Sequence, residues 1–228
     1  MARFKCRSWR DLGAEVDAIL QQVREQYFAL AKSSARGVKS YEDLYERYTG
    51  SPNAAQALDQ EVARTALKSG SSPRQVIQLL AQGPFTQQQT VGLEAEEKKA
   101  AIPGLLQYAQ TVVNSVQQQR YLEYACAVTG TIQSYPDLYR EYVGSDLSAI
   151  QLDQKVTAAA LGAGENANAV SQLLQQGPYA RFQLDVKHVP LQTIEQYASG
   201  TVAQVQAIQS LQLGQSQRSS NLSKGLEL

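Results

Sequence analysis

Residues 40–51 read SYEDLYERYTGS, and residues 134–145 read SYPDLYREYVGS. In the first stretch Tyr41, Leu44, Tyr45 and Tyr48 stand at i, i+3, i+4 and i+7. That spacing places four side chains on one stripe of an α-helix. Tyr135, Leu138, Tyr139 and Tyr142 repeat it. Ser40 and Ser134 are placed to cap the helix starts, and Gly50 and Gly144 follow the ends. A short tyrosine-striped helix is therefore written twice, 94 residues apart.

The same offset pairs Tyr27 with Tyr121, Leu58-Asp59-Gln60 with Leu152-Asp153-Gln154, and Gly83-Pro84 with Gly177-Pro178. No gap is needed between Tyr27 and Gln89, and about two in five positions over that span are identical. The pattern reads as an internal duplication. After the tyrosine helix comes "LDQEVARTALKSG", with Leu58, Val62, Ala66 and Leu67 on one side and Gly70 to stop it; the second copy stops at Gly164. Asp59 and Asp153 are expected in the first turn of that helix, where the macrodipole favours an acid. The alternative is a paired-carboxylate site. Ser72-Pro73 restarts the chain as cap and first helical residue. The next helix carries Val76, Leu79 and Leu80 and ends at Gly83-Pro84.

A long helix precedes each unit, through "AEVDAILQQVREQYFALAKSSA" and through "PGLLQYAQTVVNSVQQQRYLEYACAV", with Pro103 near the start of the second. A third segment, "VPLQTIEQYASGTVAQVQAIQSLQ", resembles the beginning of the second. The expected class is all-α: two tandem homologous helical units and a C-terminal capping helix. Its parts are a basic segment at 1–10, repeat 1 with a linker helix at 11–101, and repeat 2 at 102–188. A closing helix at 189–213 and a disordered tail at 214–228 complete it. A repeat unit cannot bury its last apolar face alone, which gives a terminal partial copy its purpose. Glu, Lys, Ala and Gln in Thr86–Ala101 favour helix for the linker.

Composition narrows the function classes. The 228 residues carry 21 basic and 21 acidic side chains, a net charge of zero, where a nucleic-acid binder shows a basic excess or stripe. No apolar run approaches the ~20 residues of a membrane helix. Arg3, Lys5, Arg7 and Arg10 lack the apolar stretch of a secretory signal behind them and read as a solvated start. Cys6 and Cys126 lie too far apart for a zinc or disulfide framework, so a reducing cytoplasm is expected. Cys126 reads as a small packed residue. His188, the single histidine, has no counterpart in the first copy and reads as a loop residue rather than a ligand. No phosphate loop, nucleophile elbow or zinc motif is present, so no cofactor or metal and no enzymatic activity are expected.

Twelve tyrosines against four phenylalanines and one tryptophan is an unusual balance. Tyrosine in a helix stripe packs its ring and leaves its hydroxyl at the rim. Tyr45 and Tyr139, each beside a leucine, are expected to be mainly packing residues. The functional alternative is that ring faces stay open to a partner. That makes Tyr41, Tyr45, Tyr48, Tyr135, Tyr139 and Tyr142 the candidate partner-binding residues.

The segment "VARTALKSGSSPRQVIQLLAQGP" resembles a helix–glycine turn–helix found in helical accessory regions of plasmid replication and mobilisation proteins, cyanobacterial ones in particular. Ala66-Leu67, Gly70, Ser72-Pro73, Val76, Leu79-Leu80 and the Gly-Pro break carry the resemblance, over about 25 residues. It implies an accessory helical role. A relaxase would need a histidine triad, which one histidine does not supply. As a DNA-reading helix-turn-helix the segment has the spacing, but the second helix bears only Arg74 in one copy and no positive charge in the other. A structural hairpin is the expected reading. The expected function is a non-catalytic cytoplasmic scaffold or adaptor that binds another protein, with self-association as an option. The alternative is an accessory factor in DNA replication or plasmid mobilisation; zero net charge disfavours direct nucleic-acid contact.

Overall fold

In the computed structural model the backbone is described for residues 9–224 and the side chains for residues 17–212. Most of the basic start at 1–10 and the end of the tail lie outside these bounds. The described residues form eleven helices and no strand. They are α1 (Trp9–Ala31), α2 (Tyr41–Thr49), α3 (Pro52–Lys68), α4 (Pro73–Leu80), α5 (Pro84–Gln88) and α6 (Ala95–Thr129). Then come α7 (Tyr135–Tyr142), α8 (Asp146–Gly162), α9 (Ala167–Leu174), α10 (Pro178–Asp185) and α11 (Leu191–Lys224). The protein is all-α. No helix among the described residues is long and apolar enough to cross a membrane.

The chain divides into two compact units. One comprises the chain up to Leu67 with Ser71–Val116; the other comprises Lys68–Gly70 with the chain from Gln117 onward. The first unit buries Tyr27 and Ala31 of α1, Leu44 of α2, Leu58, Val62, Ala66 and Leu67 of α3, and Val76, Leu79 and Leu80 of α4. Ala109, Val112, Val113 and Val116 of α6 complete that core. The second unit buries Tyr121, Leu122 and Ala125 of α6, Leu138 of α7, and Leu152, Val156 and Ala160 of α8. Val170, Leu173 and Leu174 of α9 and Ala198 and Val202 of α11 close it.

Local chemistry starts and stops these helices. The Ser40 and Ser134 hydroxyls accept from the amides of Asp43 and Asp137, at 3.2 and 3.3 Å. Ser72 and Gln75 form a reciprocal capping box with Pro73 in the first turn. In the second unit Asn166 does the same work with a different side chain, accepting from Ala169 N at 2.8 Å. Gly70 and Gly164 have φ of +91° and +87°, the left-handed stops expected there.

Several elements differ from the expectation. α3 and α8 begin at Pro52 and Asp146, so Asp59 and Asp153 sit mid-helix rather than in a first turn. Gly83 and Gly177 do more than end a helix: each is the N-cap of a further one, with Pro84 or Pro178 at its first position. The second long helix starts at Ala95, so Pro103 lies inside it. The boundary expected at 101/102 falls within α6, whose residues up to Val116 belong to the first unit. Helix α11 continues past Leu213 to Lys224, across most of the expected tail.

Candidate functional site

Each unit is tied at its centre by a buried carboxylate. The Asp59 carboxylate accepts from the hydroxyls of Tyr27 at 2.5 Å and Tyr108 at 2.7 Å. In the second unit Asp153 accepts from Tyr121 at 2.5 Å and Tyr197 at 2.6 Å. Both aspartates are fully buried. Burial pushes Asp59 up from the ordinary carboxylate range to about 6 and Asp153 to about 7, against the two hydroxyls, which pull the other way. The four tyrosine hydroxyls are raised in turn, by burial first and then by the adjoining carboxylate. A second aromatic ring lies against one tyrosine of each trio: Phe85 on Tyr108 and Tyr179 on Tyr197, with centroids 4.3 and 4.5 Å apart.

These ties fix the turn Gln82-Gly83-Pro84. A Cβ on Gly83 would be driven into the Asp59 carboxylate and the Tyr27 ring; a Cβ on Gly177 would meet Asp153 and Tyr121 in the same way. The carbonyl of Gln82 accepts from the Tyr41 hydroxyl, and that of Gln176 from Tyr135. Tyr41 also stands edge-on to Tyr27, at 6.5 Å and 80°. The Arg24 guanidinium bonds the Gln82 side-chain oxygen at 3.1 Å and lies 5.8 Å from the centre of the Tyr41 ring. So the tyrosine helix, the central carboxylate and the Gln-Gly-Pro turn form one connected assembly in each unit.

On its outer side that assembly opens into a cleft. In the first unit a cavity of about 480 Å³ is bordered by Tyr41, Tyr45, Arg24, Glu42, Glu46 and Lys98, among others. In the second, about 260 Å³ is bordered by Tyr135, Tyr139, Gln118, Pro136, Arg181 and Asp185. Tyr41 and Tyr45 have their counterparts in Tyr135 and Tyr139, and the other second-cleft positions lie 94 residues beyond first-unit lining residues. Opposite charges balance in both clefts: Arg24 and Lys98 against Glu42 and Glu46, and Arg181 against Asp185, which it bonds at 2.9 Å. Burial pushes the Tyr41 hydroxyl up to about 12 and raises Tyr135, with Arg24 and Arg181 respectively opposing.

The six candidate tyrosines separate into three pairs. Tyr48 and Tyr142 are half-buried and pack on the two cores. Tyr41 and Tyr135 also pack there, yet present one side to a cleft. Tyr45 and Tyr139, expected to be the packing members, are half-buried and belong to neither core; Leu44 and Leu138 beside them take the buried places. The reason is angular: on a nine-residue and an eight-residue helix the leucine points at the core axis, and the next residue turns about 100° away.

No sequence motif spans the central trios. The 94-residue offset alone pairs Tyr27 with Tyr121 and Asp59 with Asp153. The third members, Tyr108 and Tyr197, share the triplet Gln-Tyr-Ala in the two long-helix segments, and that match was the available signal. The partners of each aspartate are tyrosines, so each trio holds a single carboxylate and not the paired-carboxylate site given as the alternative. Among the described residues no cluster of histidine, cysteine and acids could hold a metal ion. His188 is exposed in the loop after α10, with φ of +54°. Cys126 is half-buried, its thiol directed at the Ile132 carbonyl at 2.6 Å. Comparison of the chain with protein-family models, with curated proteins and with solved structures finds no match.

Proposed function

We propose that the chain is a non-catalytic helical scaffold that binds another protein through two tyrosine-walled clefts, one on each copy of a duplicated module. α11 closes the second copy as α6 closes the first. One observation carries this reading: Tyr45 and Tyr139 lie outside both cores yet border the same kind of cleft in both units. Many other residues shared by the units serve the interior, as Tyr27, Leu44, Asp59 and Gly83 do. A half-open tyrosine offers ring area and a hydroxyl to a protein surface at low entropic cost. Balanced charge in both clefts favours a protein over a phosphate backbone, whose neutralisation needs an excess of cations. The proposed setting is the cytoplasm, and a second copy of the chain is an eligible partner.

The test is affinity capture from the native host with and without nuclease, comparing the parent with the Tyr45→Ala/Tyr139→Ala variant, alongside sedimentation of each. The expected outcome is a protein partner, or a self-associated species, held by the parent and lost by the variant. Each substitution should cost no more than about 1 kcal/mol of stability, because neither ring is in a core. Equal capture by both chains would remove the clefts from the argument. Capture that disappears with nuclease would instead favour the accessory role in DNA replication or mobilisation.

A further inference from the structure

The two central carboxylates carry an inference that does not depend on what the clefts bind. Asp59 faces Tyr27 of α1 and Tyr108 of α6 directly, with Tyr41 of α2 beyond Tyr27. The α4–α5 turn that presses on it, Gln82-Gly83-Pro84, contributes no titratable group. Arg24 is at the rim, engaged by Gln82 and Tyr41. Asp153 faces Tyr121 of α6 and Tyr197 of α11, with Tyr135 of α7 and Tyr179 of α10 behind them. Arg181 and Asp185 pair with each other at the rim. Each carboxyl thus answers to burial and to two hydroxyls, with no cation set against it among the described residues. An acid placed so deep and without a counter-ion disfavours its own charged form.

We propose that Asp59 and Asp153 are proton-operated latches: the protonated carboxyl locks the Gln-Gly-Pro turn against the tyrosine helix, and the ionised carboxyl slackens it. The path is short. The carboxylate touches the glycine that caps the next helix, and the residue before that glycine holds the cleft tyrosine by its carbonyl. Neutral, the group keeps both contacts, one oxygen accepting from a tyrosine hydroxyl and the carboxyl O–H donating to the other tyrosine oxygen, and sheds the cost of a buried charge. Ionised, it draws water or relaxes outward, and the glycine contact is the first to yield.

The sign follows from burial. An ordinary aspartate in the unfolded chain titrates near 3.9. The folded groups hold their protons to about 6 and about 7. Their stabilising contribution is complete below about pH 4 and is lost as pH rises through those two values. Acidification from neutral should therefore tighten the protein, opposite to the usual trend for salt-bridged carboxylates.

Thermal unfolding of the full chain is measured between pH 5.0 and 7.5 for the parent, Asp59→Asn, Asp153→Asn and the double variant, with amide exchange at Gly83 and Gly177. The parent should melt about 5–10 °C higher at pH 5.0 than at pH 7.5. The double variant, which carries neutral isosteres, should lose more than half of that rise. Protection of the Gly83 and Gly177 amides, corrected for intrinsic exchange, should fall about fivefold or more as pH rises. A parent melting temperature that is flat or falls on acidification would overturn the proposal, as would an unchanged slope in the double variant or pH-independent protection at both glycines. If the asparagine variants do not fold, carbon-13 titration of the parent's aspartate carboxyls decides. Two midpoints well above the ordinary range support the latch, and midpoints all near 4 refute it.

Discussion

At Gly83 the absence of a side chain is a packing requirement. Its φ is not in the left-handed region; what excludes a Cβ is the Asp59 carboxylate and the Tyr27 ring. Gly83→Ala should therefore destabilise the first unit by about 1–3 kcal/mol, as overpacked sites do, and Gly177→Ala the second by a similar amount. Urea unfolding checks both, and Gly50→Ala, with open space around it, is the control. A second site is particular to the second unit. Arg120 and Glu165 are 1% and 6% exposed and meet at 2.5 Å, with the Tyr124 hydroxyl on the other carboxylate oxygen at 2.8 Å. Glu165→Ala would strand a buried guanidinium and should cost about 3–5 kcal/mol in the same assay. The equivalent first-unit positions are Gln26 and Ser71, where no such pair can form. A sequence shows that Arg120 and Glu165 exist but not that they are buried together, because that depends on how the turn between α8 and α9 meets α6.

At the scale of the element, the ends of helices were the most readable feature. The Ser40, Ser134 and Ser72 caps and the left-handed Gly70 and Gly164 follow from chemistry within four or five residues, which a sequence contains in full. Ser40→Ala and Ser134→Ala should each cost about 1 kcal/mol by thermal unfolding. Ser72→Ala removes the hydroxyl that accepts from Gln75 N and donates to the Gln75 side-chain oxygen, and should cost at least as much, although the residue-72 amide keeps its own bond to that oxygen. Less readable were the starts of α3 and α8, the short helices after Gly-Pro and the full run of α6. A Gly-Pro pair is an equally good stop and start, and only the chain beyond it decides. The spacing puts four residues on one stripe of α2, yet their environments differ: Leu44 is inside, Tyr48 leans on the core, Tyr41 leans on the core and borders the cleft, and Tyr45 borders the cleft alone. Periodicity gives a helix a side; it does not say how wide the neighbouring helices leave that side open.

At the scale of the whole molecule, charge and helical content are properties of the composition. Zero net charge, with opposed charges in both clefts, predicts weak binding of duplex DNA at physiological salt. A gel shift showing submicromolar, sequence-selective binding would reverse the preference between the two functional readings. The sequence by itself determined the all-helical class, the caps, the stops and the pairing of residues 94 apart, because each rests on local propensity or on identity between two stretches of one chain. Tertiary structure decided what the paired residues do. Asp59 is 32 residues from Tyr27 and 49 from Tyr108, and the trio exists only once three helices converge. Burial, which turns that aspartate from a solvated helix acid into a carboxyl that holds its proton to about 6, is a property of the assembled core. The division between a leucine that fills the interior and a tyrosine that borders a cleft likewise depends on which neighbours arrive, and no spacing along the chain encodes that.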